Sequence, residues 1–152
     1  MPYKIVKKQF KLVGLKGNGE YGNFGKEVPF LAKQFLNRAN EVPNSTGTEI
    51  ALFEPKKDEQ HRIGQYFVGF IVNDEVNEVP AGMDYIETNK NYITTRGNIS
   101  NVGSLHSNLL IWAEEQGYQR DLDAYIVETY HPIGEGGEEV EIYLPIKEIV
   151  AH

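Results

Sequence analysis

The order of local signals along the chain constrains its fold most strongly, because that order occurs twice. Residues 3–72 read as strand, helix, strand, strand, and residues 83–147 read the same way. In the first stretch Ile5, Phe10, Leu12 and Val13 make a β-prone run over residues 4–15. Val28, Leu31, Phe35, Leu36 and Ala39 then recur at three- and four-residue spacing, predicting an amphipathic helix over residues 24–39 with Pro29 tolerated near its start. Residues 48–53 and the nearly continuous apolar run 65–72 predict two strands, the second buried on both faces. In the second stretch residues 83–95 predict a strand pair or one long bent strand, broken at Gly97 and Asn98. Residues 99–116 predict a helix with Leu105, Leu109, Trp112 and Ala113 on one face and Gly117 as its C-terminal cap. Residues 124–130 predict a strand stopped by Pro132, and Val140, Ile142, Leu144 and Ile146 alternate with Glu141, Tyr143 and Pro145 in a last strand.

Two such modules predict an α+β fold with pseudo-twofold symmetry, helices on sheet faces and a central ligand groove where the halves meet. The repeat lies in element order and not in residue identity. No linker or low-complexity segment divides the chain, so residues 1–152 are expected to form one domain with halves 3–72 and 83–147. Gly14, Gly17, Gly19, Gly22 and Gly25 are expected to make a flexible loop. That cluster contains Gly17-Asn-Gly-Glu-Tyr-Gly22 but lacks both the Lys-Ser/Thr pair of a Walker loop and the Rossmann spacing.

Composition removes several function classes. A net charge of −7 argues against direct nucleic-acid binding, which needs basic residues to neutralise phosphates. The absence of cysteine excludes a disulfide scaffold, a thiolate nucleophile and a cysteine zinc site. No apolar run approaches the length of about 18 residues that a membrane span needs, and the first ten residues have no apolar signal core, so a cytoplasmic protein without membrane contact is expected. The histidines, His61, His106, His131 and His152, have no metal-ligand spacing, and Ser104 and Ser107 beside His106 do not make a triad by adjacency. No cofactor and no metal are expected.

The residue that stands out is Glu128, inside the apolar strand 124–130 with Tyr130 on the same face. A strand-central carboxylate either points to solvent or lines a pocket, where it needs hydrogen bonds, a cation or a proton. Trp112 is the only tryptophan, and Tyr66, Tyr92 and Tyr143 fall on strands with one flank free to face a groove. Each ring alone is ordinary core material. Around a carboxylate, such rings hold flat or cationic ligands, a cation–π contact adding about 0.5–2 kcal/mol. The run Glu135 to Glu141, interrupted by Gly136 and Gly137, reads as a solvated hairpin turn.

The stretch from Glu128 through Thr129, Tyr130, His131 and Pro132, then a glycine-rich turn, then Glu139 to Ile146, resembles the C-terminal signature of GyrI-like (AraC effector-binding) domains. Pro80 to Met83, Asn91-Tyr92, Arg96-Gly97, the Trp112 helix and the opening run Phe10 to Gly14 follow in that family's order. The resemblance implies tandem strand-helix-strand-strand modules around a groove. It also implies a small-molecule-binding role of the kind seen in multidrug recognition and in the effector domains of bacterial transcription activators. Hydrophobic or aromatic compounds, cationic ones included, would be the ligands, with Glu128 at the pocket centre. Trp112 joins the walls by its helix position alone, and Tyr66, Tyr92, Tyr130 and Tyr143 by strand alternation within that fold and not by motif. No length is spare for a helix-turn-helix before residue 3 or after residue 147, so a stand-alone domain is expected. Some stand-alone members of that family resemble hydrolases that open the cyclopropane ring of DNA-alkylating natural products, which makes Glu128 as general base the alternative. A protein partner, as in gyrase inhibition, or a homodimer stays open.

Overall fold

Strand periodicity and helix periodicity alternate along the chain as the modules require. The structure, a computed structural model, describes residues 3–147; residues 1–2 and 148–152, His152 among them, lie outside the described residues. Its elements are β1 (Lys4–Glu20), α1 (Phe24–Leu36), β2 (Ser45–Phe53), β3 (Ile63–Val72), β4 (Asp84–Asn98), α2 (Val102–Glu115), β5 (Ile126–Pro132) and β6 (Glu138–Ile146). The α+β architecture and the twofold order of elements agree with the reading of the sequence.

The sheet closes on itself. Six antiparallel strands form a barrel in the order β1-β3-β2-β5-β6-β4. Every strand pairs on both sides, and the two longest, β1 and β4, also pair with each other. β1 pairs with β4 from Lys4↔Thr94 to Gly14↔Asp84 and with β3 from Leu12↔Ile71 to Glu20↔Ile63. β4 in turn carries β6, and the last seam joins β2 to β5 from Glu49↔Tyr130 to Phe53↔Ile126. Side chains alternate across each strand, so the sheet has a filled interior and a helix-bearing exterior. The interior cluster takes residues from all six strands: Phe10 and Leu12, Ile50 and Leu52, Phe67, Tyr92, Val127 and Tyr143. Outside, Phe35 of α1 packs with Val13, Ala51 and Val68, while Leu109 and Ala113 of α2 pack with Ile93, Ile142 and Leu144.

The glycine cluster is not a loop. Gly14, Gly17 and Gly19 are strand residues of β1, which runs on to Glu20. A Cβ on Gly14 would lie 2.2 Å from the Val68 carbonyl oxygen, and one on Gly69 would lie 2.1 Å from that of Val13. The two strands cross here at a separation only glycine permits. A Cβ on Gly17 would meet the Tyr66 ring, and one on Gly19 the Glu27 carboxylate. The glycines thus make room for side chains, which a composition-based reading takes for flexibility. Residues 84–98 are one strand and continue through Gly97, whose counterpart in the first half is Gly19, 78 residues earlier. The same offset relates the residues lying over them, Glu27 on Gly19 and Leu105 on Gly97. α1 ends at Leu36, with Ala39 starting a separate 3-10 turn, and Gly117 (φ +77°) follows α2 in the left-handed conformation expected past a helix end.

Candidate functional site

The outer faces of β2 and β5 lie side by side between the two helices and carry a cavity of about 600 Å³. That volume falls within the range of small-molecule sites, roughly 300–1,000 Å³. Its apolar lining includes Phe24, Val28 and Phe35 from α1, Phe53 from β2 and Val102 from α2. Its polar lining is Glu49, Glu128, Tyr130 and Glu138. No lysine, arginine or histidine lines it among the described residues.

Alternation sets these residues. On β2, Glu49, Ala51 and Phe53 share the outer face; on β5, Ile126, Glu128 and Tyr130 do. The register places Glu49 opposite Tyr130 and Ala51 opposite Glu128, so the small alanine leaves space above the seam. Pro29 sits inside α1 and lacks the N–H that would close onto the Gly25 carbonyl; both residues line the cavity.

Glu128 is 8% exposed, and both of its oxygens have partners. Tyr130 donates its hydroxyl to Oε1 at 2.5 Å, and His106 Nε2 from α2 lies 2.5 Å from Oε2. The carboxylate is therefore fixed from the strand and from the helix. Burial, and then the Glu128 charge, push the Tyr130 hydroxyl well above its ordinary pKa, so it stays a donor. Burial, and then the nearby Glu138, raise the Glu49 carboxyl above the usual carboxylate range. Burial is the larger cause of both shifts, and neighbouring carboxylates with no lining cation to offset them add to it. Among the described residues no three histidine or acidic side chains are grouped to hold a metal ion.

Of the residues singled out in the sequence, Glu128 and Tyr130 meet at this cavity. Tyr66 lies beside it. Its ring packs edge-on against Phe24, 5.0 Å between centroids, and its hydroxyl donates to Glu27 Oε1 at 2.9 Å. Burial, followed by that hydrogen bond, pushes the Tyr66 hydroxyl up to about 12. Tyr92 and Tyr143 are not brought to the cavity. Barrel closure turns their faces inward, where both pack edge-on to Phe10, and Tyr143 donates its hydroxyl to Glu141. Trp112 is not brought there either. The cavity touches α2 at Val102, ten residues earlier and so about 15 Å back along the axis. Trp112 instead stacks on Tyr3 at 5.3 Å and leans on Tyr118.

Sequence reasoning missed Glu49, Glu138, Phe24, Phe53 and His106. Glu49 and Phe53 carried a signal in their alternation with Ala51, the pattern that singled out Glu128. Glu138 read as part of a solvated turn and is in fact the first residue of β6. His106 has no local signal, since only packing of α2 brings it to β5.

No protein-family model and no curated protein sequence matches the chain. Solved structures do. SAV2435 bound to tetraphenylphosphonium superposes with a TM-score of 0.73 at 16% identity, covering 97% of this chain and 94% of that one. The C-terminal domain of EcmrR gives 0.60 at 15% identity, covering 98% and 100%. A hydrolase from Listeria innocua gives 0.59 at 11% identity, covering 95% and 91%. The chain has the fold of these proteins, the tandem-module fold that its resemblance to GyrI-like effector-binding domains implies.

Proposed function

We propose that the chain is a small-molecule-binding domain whose cavity takes lipophilic aromatic cations, with Glu128 as the central charge. One observation carries this reading: three carboxylates, Glu49, Glu128 and Glu138, line one cavity together with aromatic rings, and no cationic side chain lines it among the described residues. An aromatic cation entering there replaces water at the rings and lowers the mutual repulsion of the carboxylates. A neighbour of the same fold, SAV2435, binds tetraphenylphosphonium, a cation without N–H donors. Such a ligand suits a carboxylate whose two oxygens already accept from Tyr130 and contact His106. Calorimetric titration with tetraphenylphosphonium tests the reading. Glu128→Gln should weaken binding on the order of ten- to a hundredfold. Equal affinity in the two proteins removes Glu128 from the site.

The His106–Glu128 contact supports a second reading, in which a carboxylate oriented by two partners acts as general base. A neighbour of this fold is described as a hydrolase. In that reading Glu128 takes a proton from water as the water oxygen bonds to a strained cyclopropane carbon. The ring C–C bond breaks, its electron pair moves into a conjugated carbonyl, and the proton is returned there. Incubation with a cyclopropane-containing alkylator, followed by mass spectrometry for a gain of one water, decides it. Absence of product, or undiminished turnover in Glu128→Gln, removes the mechanism.

A further inference from the structure

A second, smaller cavity of about 240 Å³ adjoins the first and shares Phe24, Phe53 and Glu128 with it. Its remaining walls include Tyr21, Glu54 and His106. The volume is below what encloses a drug-sized molecule but suits one ring-bearing arm.

The walls are held in place. A Cβ on Gly64 would lie 2.5 Å from the Tyr21 ring, so glycine lets that ring lie flat on β3. The Tyr21 hydroxyl is 3.3 Å from His61 Nε2, and the two rings meet edge to face at 5.3 Å. His61 Nδ1 accepts the Lys57 backbone N–H at 3.1 Å, so a neutral His61 carries its proton on Nε2, toward Tyr21 and toward Glu54 Oε2 at 3.6 Å. Glu54 is fixed in turn, its Oε1 accepting the Gln65 N–H at 2.9 Å. Each compartment therefore combines aromatic walls with a carboxylate of its own, Glu54 in the small one and Glu49 with Glu138 in the large one. Glu128 and Phe53 stand between them. Lys56 is the cation that lines the small compartment, and it is exposed.

We propose that the smaller cavity is a second ligand compartment and that the site accepts elongated aromatic dications, one cationic ring in each compartment. The proposal rests on the reading of the large cavity as a cation site. Linking two rings makes the second contact intramolecular, so affinity should peak at the chain length that matches the span and fall on either side. The probes are α,ω-bis(pyridinium)alkanes with increasing numbers of methylenes, compared by calorimetry with N-alkylpyridiniums of the same chain. Tetraphenylphosphonium reports on the large cavity alone.

The expected result is a bis-cation that binds at least tenfold more tightly than its mono-cation at one optimal length. Glu54→Gln, which keeps an acceptor for the Gln65 N–H, should abolish that gain and leave tetraphenylphosphonium binding unchanged. Lys56→Gln, at an exposed position, should enlarge the gain. Equal affinity of mono- and bis-cations at every length, or equal weakening of both by Glu54→Gln, overturns the second compartment. Loss of tetraphenylphosphonium binding in the wild type sinks the large-cavity reading instead, and the two failures are thereby told apart.

Discussion

The two halves share one backbone plan and face the cavity with different chemistry. At an offset of 78 residues, Val28 of α1 corresponds to His106 of α2, and Phe35 corresponds to Ala113. At that position the first helix presents Val28 to the large cavity, whereas the second presents an imidazole that reaches Glu128 from the smaller cavity beside it. β2 contributes one carboxylate and a ring, Glu49 and Phe53, while β5 and β6 contribute Glu128, Tyr130 and Glu138. The barrel wall is divided as sharply. Gly14 meets Gly69 at an approach no Cβ fits, and its counterpart at the same offset is Tyr92, a ring 1% exposed inside the barrel. Duplication of a fold therefore fixes where strands and helices run and leaves each half free to specialise. The first half is drawn in by glycine around an apolar wall; the second carries most of the charge.

The largest expected effect lies at the glycine crossing. Gly69→Ala forces a Cβ to 2.1 Å from backbone, and backbone cannot swing aside, so it should destabilise by about 3 kcal/mol or more in denaturant unfolding. Gly97→Ala, where the nearest atoms are Leu105 methyls at 3.0 Å, should cost about 1 kcal/mol or less. Equal losses would break the distinction between the halves. Next comes His106→Val, which gives α2 the residue that α1 carries. It removes the imidazole contact to Glu128 and should raise tetraphenylphosphonium affinity on the order of fivefold, the worth of about one hydrogen bond. Weaker binding instead would assign His106 to positioning the carboxylate.

A smaller effect is expected from pH. The Glu49 carboxyl titrates above its unfolded value, so the folded protein holds that proton more tightly. Its contribution to stability is present at low pH and is lost as pH rises through the folded titration. A bound cation favours the ionised form, so affinity should rise a few-fold across that window with release of a proton, and Glu49→Gln should flatten the profile. Calorimetry in buffers of different ionisation enthalpy reads the proton directly. Trp112→Phe should have the smallest effect, with ligand affinity within about twofold of wild type, because its ring stacks on Tyr3 away from the cavity. A large loss of binding would mean that ligands reach the far end of α2.

Much of the fold was legible because periodicity is local. Val28, Leu31 and Phe35 mark α1, and the alternation through Glu128 and Tyr130 marks the face of β5. The site was legible only in part. Glu128 stood out as a carboxylate in an apolar strand, whereas Glu49 and Glu138 looked like ordinary surface glutamates until their strands were set side by side. Trp112 was expected at the pocket from its helix position and Tyr92 and Tyr143 from strand alternation, which tells which residues share a face but not which face turns inward.

The chain's own sequence determined the order of elements, the face each strand residue occupies relative to its neighbours, and the excess of negative charge. All three follow from spacing and composition. Which of two faces turns inward, and which residues of distant segments meet, was decided by closure of the barrel. Joining β2 to β5 and β1 to β4 makes one side of every strand a packed interior. That buries Tyr92 and Tyr143 and leaves Glu128 on the outside, between two helices. Closure is a property of six strands at once, so no single stretch of residues records it.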